Sequence, residues 1–344
     1  MERPIMNPTT FYEDHKRSGK RGRFAWLRPI LGAVVGAVQF CFSNPFSLRP
    51  KAKVSGVPHT LGWWVRGITY RLLFAPVLVV LAVAALVYAG THRVPPATEA
   101  DPATEGCYFD SVSFASEDGT PLEAWLVPVI DAKRVLSQKE QALHKKHPAV
   151  VLVHDGAATR QQMLPLVKPL HNAGIVLLVV GLRGSGRDVR RAQTFGLNES
   201  MDVRASIQMM RNRPYVDATR VAVVGVGTGA SATLLAGEND GGLAGMVLAD
   251  PIHKADDVFA ERVVPNKPYL KWMRPLCKWA FEIAYHVDTE QLNLQSHANT
   301  LEIRPVLVLD TEQGSASALG PMGVGEIEKF LRGQLLSPAQ ASAH

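Results

Sequence analysis

The run Val223–Ser231, VVGVGTGAS, sets glycines at 225, 227 and 229 directly after an apolar stretch. That spacing suits two kinds of chemistry. A strand that turns sharply into a helix through Gly-x-Ser-x-Gly presents a serine nucleophile, and its glycines relieve the crowding. Gly225 and Gly229 stand in the glycine places, but Gly227 stands in the serine place and offers no side chain to attack a carbonyl. The same residues match Gly-x-Gly-x-x-Ala through Gly225, Gly227 and Ala230, with Asp250 closing the next apolar run. There, helix-start amides would take a pyrophosphate and Asp250 a ribose hydroxyl.

Other polar residues fall at the ends of apolar runs. His154-Asp155-Gly156 follows AVVLV, and Asp310-Thr311-Glu312-Gln313-Gly314 follows VLVL. His154 reads as a hydrogen-bonded structural histidine. Arg183 and Arg187 flank Gly184-Ser185-Gly186 and read as loop-holding groups, with Ser185 in a turn role. Arg190 and Arg191 read as a solvated face. Thr228 and Ser231 read as helix-start hydroxyls. The three cysteines, Cys41, Cys107 and Cys277, form no CxxC or Cys/His cluster, so no metal site is expected. A single Cys107–Cys277 bridge stays open.

The elements that must carry these residues alternate. CYFDSVSF and LEAWLVPV bracket the turn SEDGTP as a hairpin does. Buried-type strands are expected at Ala149–His154, Ile175–Gly181, Arg220–Val224, Gly245–Ala249 and Pro305–Leu309. Helices are expected at Gln161–Asn172, Glu199–Arg211, Thr228–Gly237 and Glu326–Leu335. The pattern predicts an α/β fold, a mostly parallel sheet with helices on both faces. A helix-prone stretch at about 251–303 interrupts it as a helical cap insertion. Lys271, Trp272, Met273 and Trp279 lie there, where a packed lid is expected and a groove for a lipid or partner is the alternative.

Charge is uneven. Residues 1–71 hold twelve Lys or Arg against three acids, a net of +9, so the rest sums to −3 of the total +6. The globular part therefore lacks the basic face that nucleic-acid binding needs. The arm is followed by Leu72–Ala89, an uncharged apolar run with Tyr70 and Tyr88 near its ends, expected to span a membrane as part of a helix over 72–91. Positive flanking charge places the N-terminus in the cytoplasm and the C-terminal domain outside, as a single-pass protein. Trp63 and Trp64 read as interface markers. Ile30–Phe42 is apolar but short, and reads as an interfacial or re-entrant segment; if it spans instead, the pair forms a hairpin and the C-terminal domain returns to the cytoplasm, which Arg49, Lys51, Lys53, Arg66 and Arg71 in the loop disfavour. Residues 92–106 read as a linker, 107–335 as the globular domain and 336–344 as a tail.

DGTPLEAWLVP, VVLVHDG, GLRGSGR, TFGLNESMDV, VAVVGVGTGAS and RPVLVLDTEQG, in that order, resemble the landmarks of an α/β-hydrolase, nearest to its serine peptidase/esterase-like branch. The resemblance covers residues 107–335. It implies a nucleophile at 227, an oxyanion region at His154-Asp155-Gly156, an acid after the last-but-one strand and a histidine before the closing helix. This sequence departs at each point. Gly227 replaces the nucleophile, and Asp155 puts a carboxylate where negative charge would develop. Gly314 falls in the acid's place, leaving Asp310 or Glu312 off register. Residues 315–343 contain no histidine, and His344 lies beyond the closing helix. A triad works as a unit. The expectation is a membrane-anchored pseudoenzyme without a cofactor, whose old cleft binds a small apolar ligand or a protein partner. Two alternatives stand beside it: a residual serine-type ester or peptide hydrolase with an unrecognised nucleophile, and dinucleotide binding at Gly225–Ala230. Against the latter, a dinucleotide fingerprint opens its domain, whereas strands and helices precede this one.

Overall fold

The structure, a computed structural model, describes residues 61–92, 100–129, 146–185, 191–238, 240–297, 301, 304–310 and 319–336. The expectations for the basic arm before residue 61, Ile30–Phe42, Cys41, Arg187, Arg190, Glu312, Gly314 and the tail beyond Leu336 lie outside these residues. The chain divides into two compact units, Met1–Ala82 and Val83–His344.

Helix α1, Leu61–Thr91, runs through both units. It starts eleven residues before the apolar run at Leu72, because Arg66 and Arg71 bar residues 61–71 from a lipid span but not from a helix. Its stretch Leu72–Thr91 has a mean hydropathy of 2.7 over a window only 11% buried, long and apolar enough to cross a membrane. In the first unit Leu72, Leu73, Phe74, Val77, Val80 and Leu81 are all exposed.

The second unit is built on a seven-stranded sheet in the order β1-β2-β4-β3-β5-β6-β7. The strands are β1 Asp110–Ala115, β2 Pro121–Val127, β3 His147–Val153, β4 Val176–Gly181, β5 Val216–Val226, β6 Gly245–Ala249 and β7 Val306–Leu309. β1 and β2 form the expected hairpin, β2 pairs antiparallel with β4, and all other pairs are parallel. β5 alternates between two cores, as period-2 geometry requires. Ala222, Val224 and Val226 face helix α2, Leu164–Asn172, and helix α7, Pro321–Leu336, through Leu166, Leu170, Ile327 and Leu331. Val221 and Val223 face helix α3, Glu199–Arg211, and helix α4, Thr228–Glu238, through Val203, Ile207, Ala232 and Ala236. Both faces are covered, which is why the strands read as unbroken apolar runs.

Register decides where the chemistry sits. Val153 pairs with Gly225, Val226 with Ala249, and Ala249 with Leu309. Four adjacent parallel strands thus end together, and the residues after them, His154-Asp155, Gly227, Asp250 and Asp310, gather at one edge. That is where open α/β sheets bind ligands.

Between β6 and β7 the cap holds α5 Ala255–Val258, a π-helical turn Phe259–Val263, a 3₁₀ turn Pro268–Met273 and α6 Arg274–Tyr285. Phe281 stacks on Phe195 at a centroid distance of 5.3 Å, and Phe259 meets both rings edge-on at 5.3–5.9 Å. The expected packing of Trp272 and Trp279 into a lid does not occur: they are 52% and 64% exposed. Helical spacing turns Met273, Cys277 and Phe281 inward and leaves both tryptophans outside. Cys107 and Cys277 are buried free thiols.

Candidate functional site

Gly227 joins β5 to α4 with φ +58, a left-handed backbone that side chains rarely adopt. This is the strained strand-to-helix turn of a nucleophile elbow. Gly229, two residues on, is needed for close approach, since a Cβ there would strike the His154 carbonyl oxygen and lie 2.9 Å from that of Val153. The strand order, the antiparallel second strand and this elbow after the fifth strand decide the architecture. The chain has the α/β-hydrolase fold.

The α/β-hydrolase elbow is filled from the side. A Cβ at Gly227 would lie 2.7 Å from both Cγ and Oδ1 of Asp155. The Asp155 carboxylate therefore holds the volume in which a nucleophile's side chain would stand. Its Oδ1 accepts from the Thr228 backbone N–H at 3.1 Å and from the Thr228 hydroxyl at 2.8 Å. Arg262, from the π-helical turn of the cap, donates its Nη2 to Oδ2 at 2.8 Å and to Oδ1 at 3.0 Å. The two side chains are 8% and 4% exposed. Burial works against the charge on Asp155, but the Arg262 guanidinium and the Thr228 donors hold its carboxyl below the usual range.

The amides of an oxyanion site are all committed within the protein. Thr228 N–H goes to Asp155, Gly156 N–H donates to Thr228 Oγ1 at 2.7 Å, and Asp155 N–H donates to Gln162 Oε1 at 2.8 Å. His154 is fully buried and kept neutral by that burial. Its Nδ1 donates to the Asp155 carbonyl at 2.7 Å, which leaves Nε2 to accept from the Leu182 N–H at 3.2 Å. It is a structural histidine, as expected. Ser185 Oγ donates to the Leu182 carbonyl at 2.5 Å and so holds a turn.

The other candidates fall as follows. Ser231 Oγ accepts from the Ile252 N–H at 3.4 Å, a helix-to-loop contact. Arg183 clamps three elements: it donates to Asp202 at 2.6 Å, Asp118 at 2.7 Å and Ser116 Oγ at 3.1 Å. Arg191 bonds Thr120 Oγ1 at 2.9 Å rather than facing only solvent. Asp310 is exposed at the end of β7, and its Oδ2 lies 3.5 Å from Nε2 of His253. For the dinucleotide reading, Gly225 lies inside β5, and the helix-start amide of Thr228 that a pyrophosphate needs already carries a carboxylate. Asp250 lines the cavity above Gly227, about 230 Å³ in volume, together with Asp257 and Glu261. An anionic ligand would meet these three carboxylates beside Arg262, which is already paired with Asp155. The described residues include no group of side chains suited to a metal ion.

Sequence reasoning missed Arg262 and His253. For Arg262 one signal existed: a carboxylate buried beside an elbow requires a cation. Nothing in the sequence says which of the cap's basic residues supplies it. His253 has no motif, because it meets Asp310 only through the parallel ends of β6 and β7.

No family model matches the sequence. Among curated proteins, the uncharacterised protein YfhR of Salmonella typhimurium is 28% identical over 141 residues, 41% of this chain and 44% of that one. YfhR of Salmonella typhi is 28% identical over 171 residues, 47% of this chain and 55% of that one. The chain thus spans about half the length of the curated relatives it matches. Among solved structures, the Pyrococcus furiosus esterase Pf2001 covers 70% of this chain and 99% of its own, at 14% identity and a TM-score of 0.49. The Pyrococcus horikoshii acylaminoacyl peptidase covers 70% and 44%, at 17% identity and a TM-score of 0.44.

Proposed function

We propose that this is a membrane-anchored α/β-hydrolase-fold protein whose elbow performs no catalysis and whose role is binding. One observation carries the reading. The Asp155–Arg262 pair occupies the nucleophile's volume and the first oxyanion donor, so an acyl substrate finds neither an attacking group nor free amides. The cavity over the elbow is below the ~300–1,000 Å³ of ordinary ligand pockets and its wall includes three carboxylates. This favours a protein partner over a small apolar ligand. Helix α1 supplies the anchor, and the positive charge before it sets a cytoplasmic N-terminus.

The test is hydrolysis of short-chain nitrophenyl esters by the purified full chain in detergent micelles, with fluorophosphonate labelling in parallel. The reading expects the buffer rate and no label. A rate that survives purification to homogeneity overturns it.

A second reading has one observation in its favour. His253 and Asp310, 3.5 Å apart at the cleft, resemble a base and its orienting acid, and His253 shares the cavity wall with Gly227. It makes the protein a residual hydrolase in which His253 activates water. Activity lost on His253→Ala would establish it.

A further inference from the structure

Helix α1 enters the sheet-bearing unit, to which its residues from Val83 onward belong. Val83, Val87 and Thr91 are 6%, 5% and 0% exposed, and Gly90 is buried beside them. Their helical spacing puts all four on one face. Ala84, Ala85, Tyr88 and Ala89, on the other side, are exposed.

The buried face touches the part of the cap that plugs the elbow. A Cβ at Gly90 would lie 2.9 Å from the Arg262 carbonyl oxygen and 3.1 Å from Val263 Cα, so the α1 backbone rests on the backbone of the π-helical turn. The Thr91 hydroxyl donates to the Val87 carbonyl at 2.9 Å and accepts from the Tyr285 hydroxyl at 2.9 Å. The Tyr285 ring lies 5.0 Å from that of Phe281, and Phe281 lies 5.3 Å from Phe259, the first residue of the same turn. The turn is thus gripped at both ends. Its register is unusual: the Val264 N–H donates to the Phe259 carbonyl at 2.8 Å, an i to i+5 bond. Such turns are rare, and the α register is the ordinary alternative. A change to it would turn Arg262 away from Asp155. A second path leads the same way. The Thr91 carbonyl accepts from the Gln193 N–H at 2.8 Å, and Gln193 Oε1 lies 3.1 Å from where a Cβ at Gly156 would stand. Gly156 in turn donates to Thr228.

We propose that the end of α1 regulates the elbow. Seated, Gly90 and Thr91 keep the π-helical turn in register and Arg262 on Asp155. Unseated, they release Arg262, uncover the Asp155 carboxylate and open the elbow to a partner. This rests on the reading of the elbow as a plugged binding site.

Amide hydrogen exchange of the full chain in micelles, resolved by residue, tests it. The Thr228 N–H, held by Asp155, reports the plug, and the Val224 amide inside β5 gauges global opening. Arg262→Ala sets the rate of an unplugged elbow. Gly90→Ala keeps a good helix former and puts a methyl against the Arg262 carbonyl. It is expected to speed Thr228 exchange by about tenfold, toward the Arg262→Ala rate, with Val224 unchanged and with no further gain in the Arg262→Ala background. Tyr285→Phe removes one hydroxyl and should give about fivefold. The proposal is overturned if Thr228 keeps its wild-type rate in these variants, Arg262→Ala included. It is also overturned if Thr228 and Val224 accelerate together, the mark of a merely loosened fold. If Gly90→Ala does not fold, Tyr285→Phe decides by the same criteria. The two readings fail separately: unchanged Thr228 exchange in Gly90→Ala and Tyr285→Phe sinks the regulation alone, whereas ester hydrolysis by the wild type sinks the plugged elbow.

Discussion

The Asp155 carboxylate and the Gly227 backbone share one volume: a Cβ at 227 would lie 2.7 Å from Asp155 Cγ. Glycine at the elbow and aspartate after β3 are therefore a matched pair. Gly227→Ser, which rebuilds Gly-x-Ser-x-Gly, is expected to destabilise the fold without producing ester hydrolysis. It adds a clash and a side chain at φ +58, at a cost of about 1–3 kcal/mol. The expected result is a melting temperature lower by about 2–4 °C per kcal/mol with ester hydrolysis still at background. Hydrolysis appearing in this variant alone would show that the carboxylate moves aside freely.

Arg262→Ala leaves Asp155 charged, buried and without its cation. Removing one partner of a buried pair costs about 3–5 kcal/mol. Asp155→Asn in the Arg262→Ala background should recover part of that loss, so the two substitutions couple by about 0.5–3 kcal/mol in a double-mutant cycle. Urea unfolding of the four proteins in micelles reads it. Strict additivity would mean that the contact contributes nothing.

Acid should weaken the fold in a defined direction. Burial raises the Asp118 carboxyl, but bonds from Thr120 and the charge of Arg183 outweigh it and bring it from 3.8 to about 2. Asp155 is also lowered. Folded carboxyls below their unfolded values add stability that is fully present above the unfolded value and lost as pH falls through the folded one. His154, lowered by burial, adds a loss that starts where an unfolded histidine takes up its proton. The urea midpoint should fall first below the ordinary histidine range and again from about pH 4 toward pH 2. Asp118→Asn should flatten the second fall; an unchanged slope would contradict the assignment.

Arg183→Lys tests the clamp that joins the β1–β2 turn, the loop after β4, and α3. A lysine cannot reproduce the guanidinium's simultaneous bonds to Asp202, Asp118 and Ser116. Losing one hydrogen bond to a charged group costs about 1.5–3 kcal/mol, and thermal melting should show it. A silent substitution would mark Arg183 as a surface group.

Much of this was legible before any coordinates. The apolar runs at β3, β4, β5 and β6 announced a doubly covered parallel sheet, and the glycines around 227 announced the elbow. Asp155 was readable as hostile to an oxyanion. What could not be read was where its charge is neutralised. Arg262 reaches Asp155 across a hundred and seven residues of sequence, from a cap whose short helical turns carry no strong periodicity. Trp272 in the 3₁₀ turn and Trp279 in α6 misled because apolar residues at helical spacing read as core, and the opposite face of the same segment was apolar enough to take that place.

Gln193 N–H donates to the Thr91 carbonyl at 2.8 Å, and Val83 and Val87 are buried to 6% and 5% exposure. A recombinant fragment trimmed at the Pro-rich stretch after His92 would thus be an amputation inside the fold, not a cut between parts. It would strip the Gln193 amide and the Tyr285 hydroxyl of their partners and open the seat of Gly90 on Val263 to water. The compact unit that carries the sheet begins at Val83, so the last two turns of helix α1 belong to it as a structural part of the domain.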